Sequence, residues 1–108
     1  MTMHHAVRVC PEALLSVNRG VAALVDGAAV ALFRLEDGTV RAVDNLDPCS
    51  GASVLSRGLV GDVDGEPTVA SPMYKQRFSL LDGRCLDLDG VAVAVHDAAV
   101  ADGFVHVT

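Results

Sequence analysis

A chain of 108 residues with a net charge of −6 has the size of a single domain. Its acidity argues against nucleic acid or an anionic membrane surface as a partner, since both require a basic footprint. Apolar residues make up 51% of the chain but aromatic residues only 4%, with no Trp, so the expected core is aliphatic.

In chain order, the segment Met1-Thr2-Met3-His4-His5 lacks the basic stretch and apolar run of a leader peptide. Residues 1–8 are expected to form a flexible N-terminal tail, with His4 and His5 solvated rather than holding a metal. No apolar stretch approaches the roughly 20 residues of a membrane span, and the expected location is cytoplasmic. Pro11, at the start of Pro-Glu-Ala-Leu-Leu, predicts one helical turn. Residues 21–25 form a short apolar run. Residues 28–35 alternate, with Ala31, Phe33 and Leu35 on one face and Arg34 on the other. Residues 39–43 follow, then a long irregular stretch. Val91, Val93 and Val95 share one face of a further expected strand, residues 98–101 suggest a second helical turn, and residues 104–107 form a last strand.

Asp-Gly punctuates these runs at Asp26-Gly27, Asp37-Gly38, Asp64-Gly65, Asp82-Gly83, Asp89-Gly90 and Asp102-Gly103. Asp-Gly between apolar runs is a hairpin signal, because type I′ turns need positive φ at both central residues. The expected architecture is therefore all-β, a meander of short antiparallel strands in a single domain spanning 1–108. No internal sequence repeat is visible beyond the turns. Cys10, Cys49 and Cys85 are odd in number, widely spaced and without a C-x-x-C pair, which predicts reduced thiols rather than disulfides or a zinc ribbon.

Residues 45–78 break the alternation. Two Pro-containing loops, Asp47-Pro48-Cys49-Ser50-Gly51 and Ser71-Pro72-Met73-Tyr74-Lys75-Gln76-Arg77-Phe78, flank a short hairpin. They resemble the two cluster-binding loops of Rieske domains, which read C-x-H-x-G and C-P-x-H-G-x-x-F and whose two His replace two Cys on one iron. Gly51, Pro72 and Phe78 keep the framework. The ligand positions hold Asp47, Cys49, Ser71 and Tyr74, a set poorly suited to an iron–sulfide cluster, which takes thiolate or imidazole.

Together with residues 30–38, Asp44-Asn45-Leu46-Asp47-Pro48, Val54-Leu55-Ser56-Arg57-Gly58, Gly65-Glu66-Pro67 and the phrase Ser71-Pro72-Met73-Tyr74-Lys75-Gln76, this pattern is similar to the small subunit of assimilatory NAD(P)H-dependent nitrite reductase, a Rieske-like domain lacking the cluster ligands. The resemblance covers residues 9–107. It implies a Rieske-type antiparallel β-sandwich of eight to ten strands with a two-loop hairpin subdomain. It also implies an accessory subunit without catalytic residues, metal or cofactor of its own. Its partner would be a large subunit carrying FAD, a 4Fe–4S cluster and sirohaem, which takes nitrite to ammonium in nitrate assimilation. The rival readings are a Rieske-type electron carrier and a free-standing interaction module.

The residues expected to contact that partner are Tyr74, Lys75, Arg77 and Arg57. The alternatives are a Tyr74 ring that caps the sheet, with its hydroxyl bonded to the opposite loop, and solvated cations. Asp47 is expected to cap its loop through an Asx turn, and Cys49 to act as a small apolar filler. Cys10 and Cys85 are expected to be packed, and His96 and His106 to be ordinary strand residues. No Ser-His-Asp arrangement, paired carboxylate or Gly-rich phosphate loop stands out.

Overall fold

Three small antiparallel sheets stack in layers, and each sequence-level turn signal joins neighbouring strands or ends a loop. The computed structural model describes residues 6–108; the expectation for His4 and His5 lies outside the described residues. The strands are β1 (Val7–Pro11), β2 (Gly20–Val25), β3 (Ala28–Arg34), β4 (Val40–Asp44), β5 (Leu59–Val63), β6 (Glu66–Ala70), β7 (Arg77–Ser79), β8 (Val95–His96), β9 (Ala98–Ala101) and β10 (Phe104–Val107). Short 3₁₀ turns occupy Glu12–Leu14, where Pro11 predicts one, and Leu55–Arg57.

The sheets have the orders β1-β10-β9, β2-β3-β4-β8 and β5-β6-β7. The four-stranded sheet is the middle layer because β3 is apolar on both faces. Val30 and Leu32 pack with Val40, Ala42, Val105 and Val107 against the β1-β10-β9 sheet. Ala31, Phe33 and Leu35 pack with Val43, Val69, Phe78 and Leu80 against the β5-β6-β7 layer. The two cores are aliphatic apart from Phe33 and Phe78, both fully buried.

Asp-Gly closes the β2–β3, β5–β6 and β9–β10 hairpins with positive φ at both residues: 49° and 83°, 51° and 87°, and 53° and 79°. At Asp37-Gly38, Asp82-Gly83 and Asp89-Gly90 only the glycine is in the left-handed region, so these are other turn types.

Three expectations are corrected. The tail does not reach residue 8: Val7 pairs with Val107 and Arg8 with His106, and the Arg8 guanidinium stacks 4.6 Å from the Phe104 ring centroid. Residues 98–101 form β9 instead of a helical turn, because the tight Asp102-Gly103 turn returns the chain against it, with Val100 opposite Val105 and Ala98 opposite Val107. That long-range pairing overrides the helix preference of alanine. The Val91, Val93, Val95 alternation makes no continuous strand. Val93 is buried but Val95 is 37% exposed, and the segment is tied by the Arg84–Ala92 bridge and the Val93 N–H to the Gly83 carbonyl.

Candidate functional site

The two Pro-containing loops lie at one end of the β5-β6-β7 layer. The first leaves β4 through Asn45, whose N–H donates to the Ala29 carbonyl. The Asn45 side chain fastens the loop root: it donates to the Ser53 carbonyl (3.1 Å) and hydroxyl (3.0 Å) and accepts from the Ser56 N–H (2.7 Å). The second loop joins β6 to β7.

Both loops have the same backbone. In residues 47–52 the Gly51 N–H donates to the Asp47 carbonyl and the Asp47 N–H to the Ala52 carbonyl, both at 2.8 Å. In residues 71–76 the Lys75 N–H donates to the Ser71 carbonyl and the Ser71 N–H to the Gln76 carbonyl, both at 2.9 Å. Residues 79–84 repeat the pattern a third time, Gly83 to Ser79 and Ser79 to Arg84. Each is an i→i+4 turn. In each, the first side chain accepts from the N–H two residues on: Cys49 to Asp47, Met73 to Ser71 and Leu81 to Ser79. The fifth residue is left-handed in all three, with φ of 76° at Gly51, 64° at Lys75 and 83° at Gly83. The repeat escaped the sequence reading because hydrogen bonds and backbone sign define it; the residue types vary.

A hydrogen-bonded clamp joins the two loops. Asp47 has no exposed surface and Ser71 almost none. The Ser71 hydroxyl donates to Asp47 Oδ2 at 2.6 Å, Ser50 Oγ donates to the same oxygen at 3.0 Å, and the Cys49 N–H donates to Oδ1 at 2.8 Å. Burial pushes the Asp47 carboxyl up, but the bonds from Ser71, Cys49 and Ser50 outweigh it and hold it below the usual carboxylate range. The expected Asx turn is present, and the same carboxylate also reaches across to the second loop, a role the sequence did not reveal.

Cys49 packs against the core that holds Cys85. Burial, and then the Asp47 charge, raise its thiol pKa, so it is a protonated filler at neutral pH. The three cysteines are unpaired; Cys85 is buried and Cys10 half-buried.

The tip of the two loops is apolar and open to solvent. Leu46 is 50%, Met73 49% and Tyr74 60% exposed, with Pro48 and Pro72 exposed beside them. Tyr74 does not cap the sheet, and its hydroxyl bonds to none of the described residues. Leu46 and Met73 were missed in the sequence because an apolar side chain there reads as core.

The four cations and aromatics singled out in the sequence differ in their freedom. Arg77 is held by Asp87 through Nε at 3.1 Å and Nη2 at 2.7 Å, which draws the Asp87 carboxyl down to about 2. Lys75 is exposed, and Arg57 is exposed at the end of its 3₁₀ turn; neither forms an ion pair with the described residues. His96 and His106 are half-buried strand residues.

Layered sheets with two facing loops at one end define a Rieske-like domain, and the model of the Rieske-like [2Fe-2S] domain family matches residues 5–108. The nitrite reductase (NADH) small subunit of Salmonella typhimurium is 49% identical over 87 residues, 80% of this chain and 81% of that protein. The crystal structure described as an NADH-dependent nitrite reductase small subunit from Mycobacterium tuberculosis has a TM-score of 0.94 and 48% identity, covering 98% of this chain and 96% of that one. The chain belongs to the family of NAD(P)H nitrite reductase small subunits. A nitrite reductase [NAD(P)H] large subunit from Klebsiella oxytoca is also 46% identical over 99 residues, 92% of this chain, which spans 10% of that protein.

The Rieske pattern implies a [2Fe–2S] cluster held by two Cys and two His, the two Cys sharing one iron. The residues present do not fit it. At the two Cys positions Asp47 and Ser71 bond directly to each other, closing the gap that sulfide-bridged iron would need. At the two His positions stand a protonated, half-buried thiol and a phenol turned to solvent. Among the described residues, no group of three or more His, Cys, Asp or Glu is placed to hold a metal ion, and no helix is long and apolar enough to cross a membrane.

Proposed function

We propose that this chain is a cluster-free small subunit of an NAD(P)H-dependent nitrite reductase, working in the cytoplasm beside a large subunit that carries FAD, a 4Fe–4S cluster and sirohaem and reduces nitrite to ammonium. Its own role is accessory, with no catalytic residue, and its tip, residues 47–51 and 71–78, docks the large subunit. The observation that carries this reading is the 2.6 Å bond between Ser71 and Asp47 at two of the four ligand positions. The loops keep the Rieske framework residues Gly51, Pro72 and Phe78, but a carboxylate–hydroxyl clamp stands where a cluster would tie them. An electron carrier needs a redox centre; a docking subunit needs ordered loops.

The test is direct. Chain purified without oxygen is expected to contain neither iron nor acid-labile sulfide in stoichiometric amount. Mixed with its large subunit it is expected to co-purify and to raise NAD(P)H-dependent nitrite reduction above that of the large subunit alone. The double variant Tyr74→Ala, Lys75→Ala is expected to lose at least tenfold in affinity, the scale of one interface hot spot. A stoichiometric coloured centre, or unchanged affinity in the double variant, would overturn the respective half of the proposal.

A further inference from the structure

We infer that Lys75 is a recognition residue, and that the large-subunit face receiving the tip presents a carboxylate to it at the rim of an apolar recess. This rests on the small-subunit reading above and deepens it.

The argument begins with the three equivalent turns. Their fifth residue is left-handed each time, and two of the three carry glycine, Gly51 and Gly83. The Rieske pattern also has glycine at the position of Lys75. A residue with a Cβ is disfavoured in this conformation and glycine is not. Lys75 nevertheless stands there at φ 64°, and strained positions of this kind gather at functional sites.

The turn's backbone hydrogen bonds hold this conformation, but no side-chain contact of Lys75 within the described chain adds to them. Lys75 is exposed and its ammonium group meets no carboxylate or carbonyl of the described residues. The neighbouring cations are committed: Arg77 to Asp87, and Arg84 to both Glu66 and Asp82. The charge of Lys75 therefore belongs to none of the fold's own ion pairs, although the chain carries a net −6.

Its surroundings indicate what meets it. Tyr74 and Met73, adjacent in the same turn, are 60% and 49% exposed, and Leu46 on the facing loop is 50% exposed. Aromatic and Met side chains favour interface centres, whereas lysine stays at rims. A rim cation opposite a carboxylate fixes orientation and speeds encounter. The occupant is the large subunit: in the Klebsiella oxytoca relative, a segment 46% identical to this chain is part of the large-subunit polypeptide itself.

The experiment compares the parent chain and four variants by thermal unfolding and by titration of the labelled chain against the purified large-subunit holoenzyme at low and physiological salt. Lys75→Gly relieves the strain, so its unfolding midpoint is expected to rise by about 4 °C. Its affinity is expected to fall by about fivefold to tenfold, with a weaker salt dependence. Lys75→Asn, whose side chain tolerates the left-handed region, is expected to lose the same affinity without a lower midpoint. Lys75→Arg is expected to keep the affinity. Gly51→Lys, at the equivalent position with no atom within 4 Å of a built Cβ, is expected to unfold at lower temperature.

Lys75→Gly and Lys75→Asn binding as tightly as the parent would overturn the inference. So would a lower midpoint in Lys75→Gly, since Lys75 would then stabilise the fold itself. If the parent chain fails to bind the large subunit at all, it is the small-subunit reading that falls.

Discussion

Asp47 ties two loops together through a single buried carboxylate. It accepts hydrogen bonds from Ser71, Ser50 and the Cys49 N–H, and its removal would leave buried donors unpaired. Asp47→Ala is expected to cost about 3 kcal/mol in urea unfolding. Asp47→Asn, which keeps the shape and one acceptor, is expected to cost about 1 kcal/mol. The pH dependence follows from the direction of the shift. The folded-state pKa is lowered, so the stabilisation by the carboxylate is complete above the unfolded value of about 4 and is lost as pH falls through the lower folded value. The gap between parent and Asp47→Asn is thus expected to be constant near neutrality and to close in acid. Asp87, drawn down to about 2 by Arg77, is common to both proteins and cancels. A gap that persists undiminished at pH 2 would mean that the carboxylate charge is not its source. The Asx turn of Asp47 was legible in Asp-Pro-Cys. Its bond to Ser71, 24 residues away, was not, because no local signal links the two loops.

Among the elements, the three six-residue turns carry the site, and their glycines differ in kind. A Cβ on Gly51 would meet open space, whereas a Cβ on Gly83 would collide with the Val93 carbonyl and press on the Val95 side chain. Both have positive φ. Gly51→Ala is therefore expected to cost about 1 kcal/mol, the conformational penalty alone, and Gly83→Ala about 3 kcal/mol or more, since the segment bridging to Val93 must also move. Equal losses in chemical denaturation would contradict the close approach. The strands were easier to read than these turns. Residues 28–35 alternate clearly, and Ala31, Phe33 and Leu35 do share one core. The alternation failed at Val91, Val93 and Val95, where spacing two apart does not ensure a paired neighbour. It also failed at β9, whose alanines favour a helix until β10 pairs with them.

For the whole molecule, the middle sheet separates Val7 and Val107 from the tip. Val7 and Val107 pair in the β1-β10-β9 sheet, on the face of the middle layer opposite the β5-β6-β7 sheet that bears the loops. Both Val7 and Val107 thus lie in the outer layer, apart from the two loops. This is compatible with the Klebsiella oxytoca arrangement, in which the domain is part of a longer chain. That one-chain arrangement leads us to expect one copy of this chain per large subunit in the assembled complex. Sedimentation or mass measurement of the complex checks this, and two copies per large subunit would contradict it.

What the sequence alone determined was local. Three of the six Asp-Gly pairs set hairpins, the period-two runs set most strands, and the residues at the Rieske-type positions set the donor chemistry, because each of these is encoded within a few neighbouring residues. What the tertiary structure decided was everything that joins distant segments: the two cores on the two faces of β3, the Asp47–Ser71 clamp, the commitment of Arg77 to Asp87, and the three-fold use of one turn. Such contacts depend on which surfaces are buried against each other. In a chain with few aromatic landmarks, many aliphatic pairings look alike until the layers are assembled.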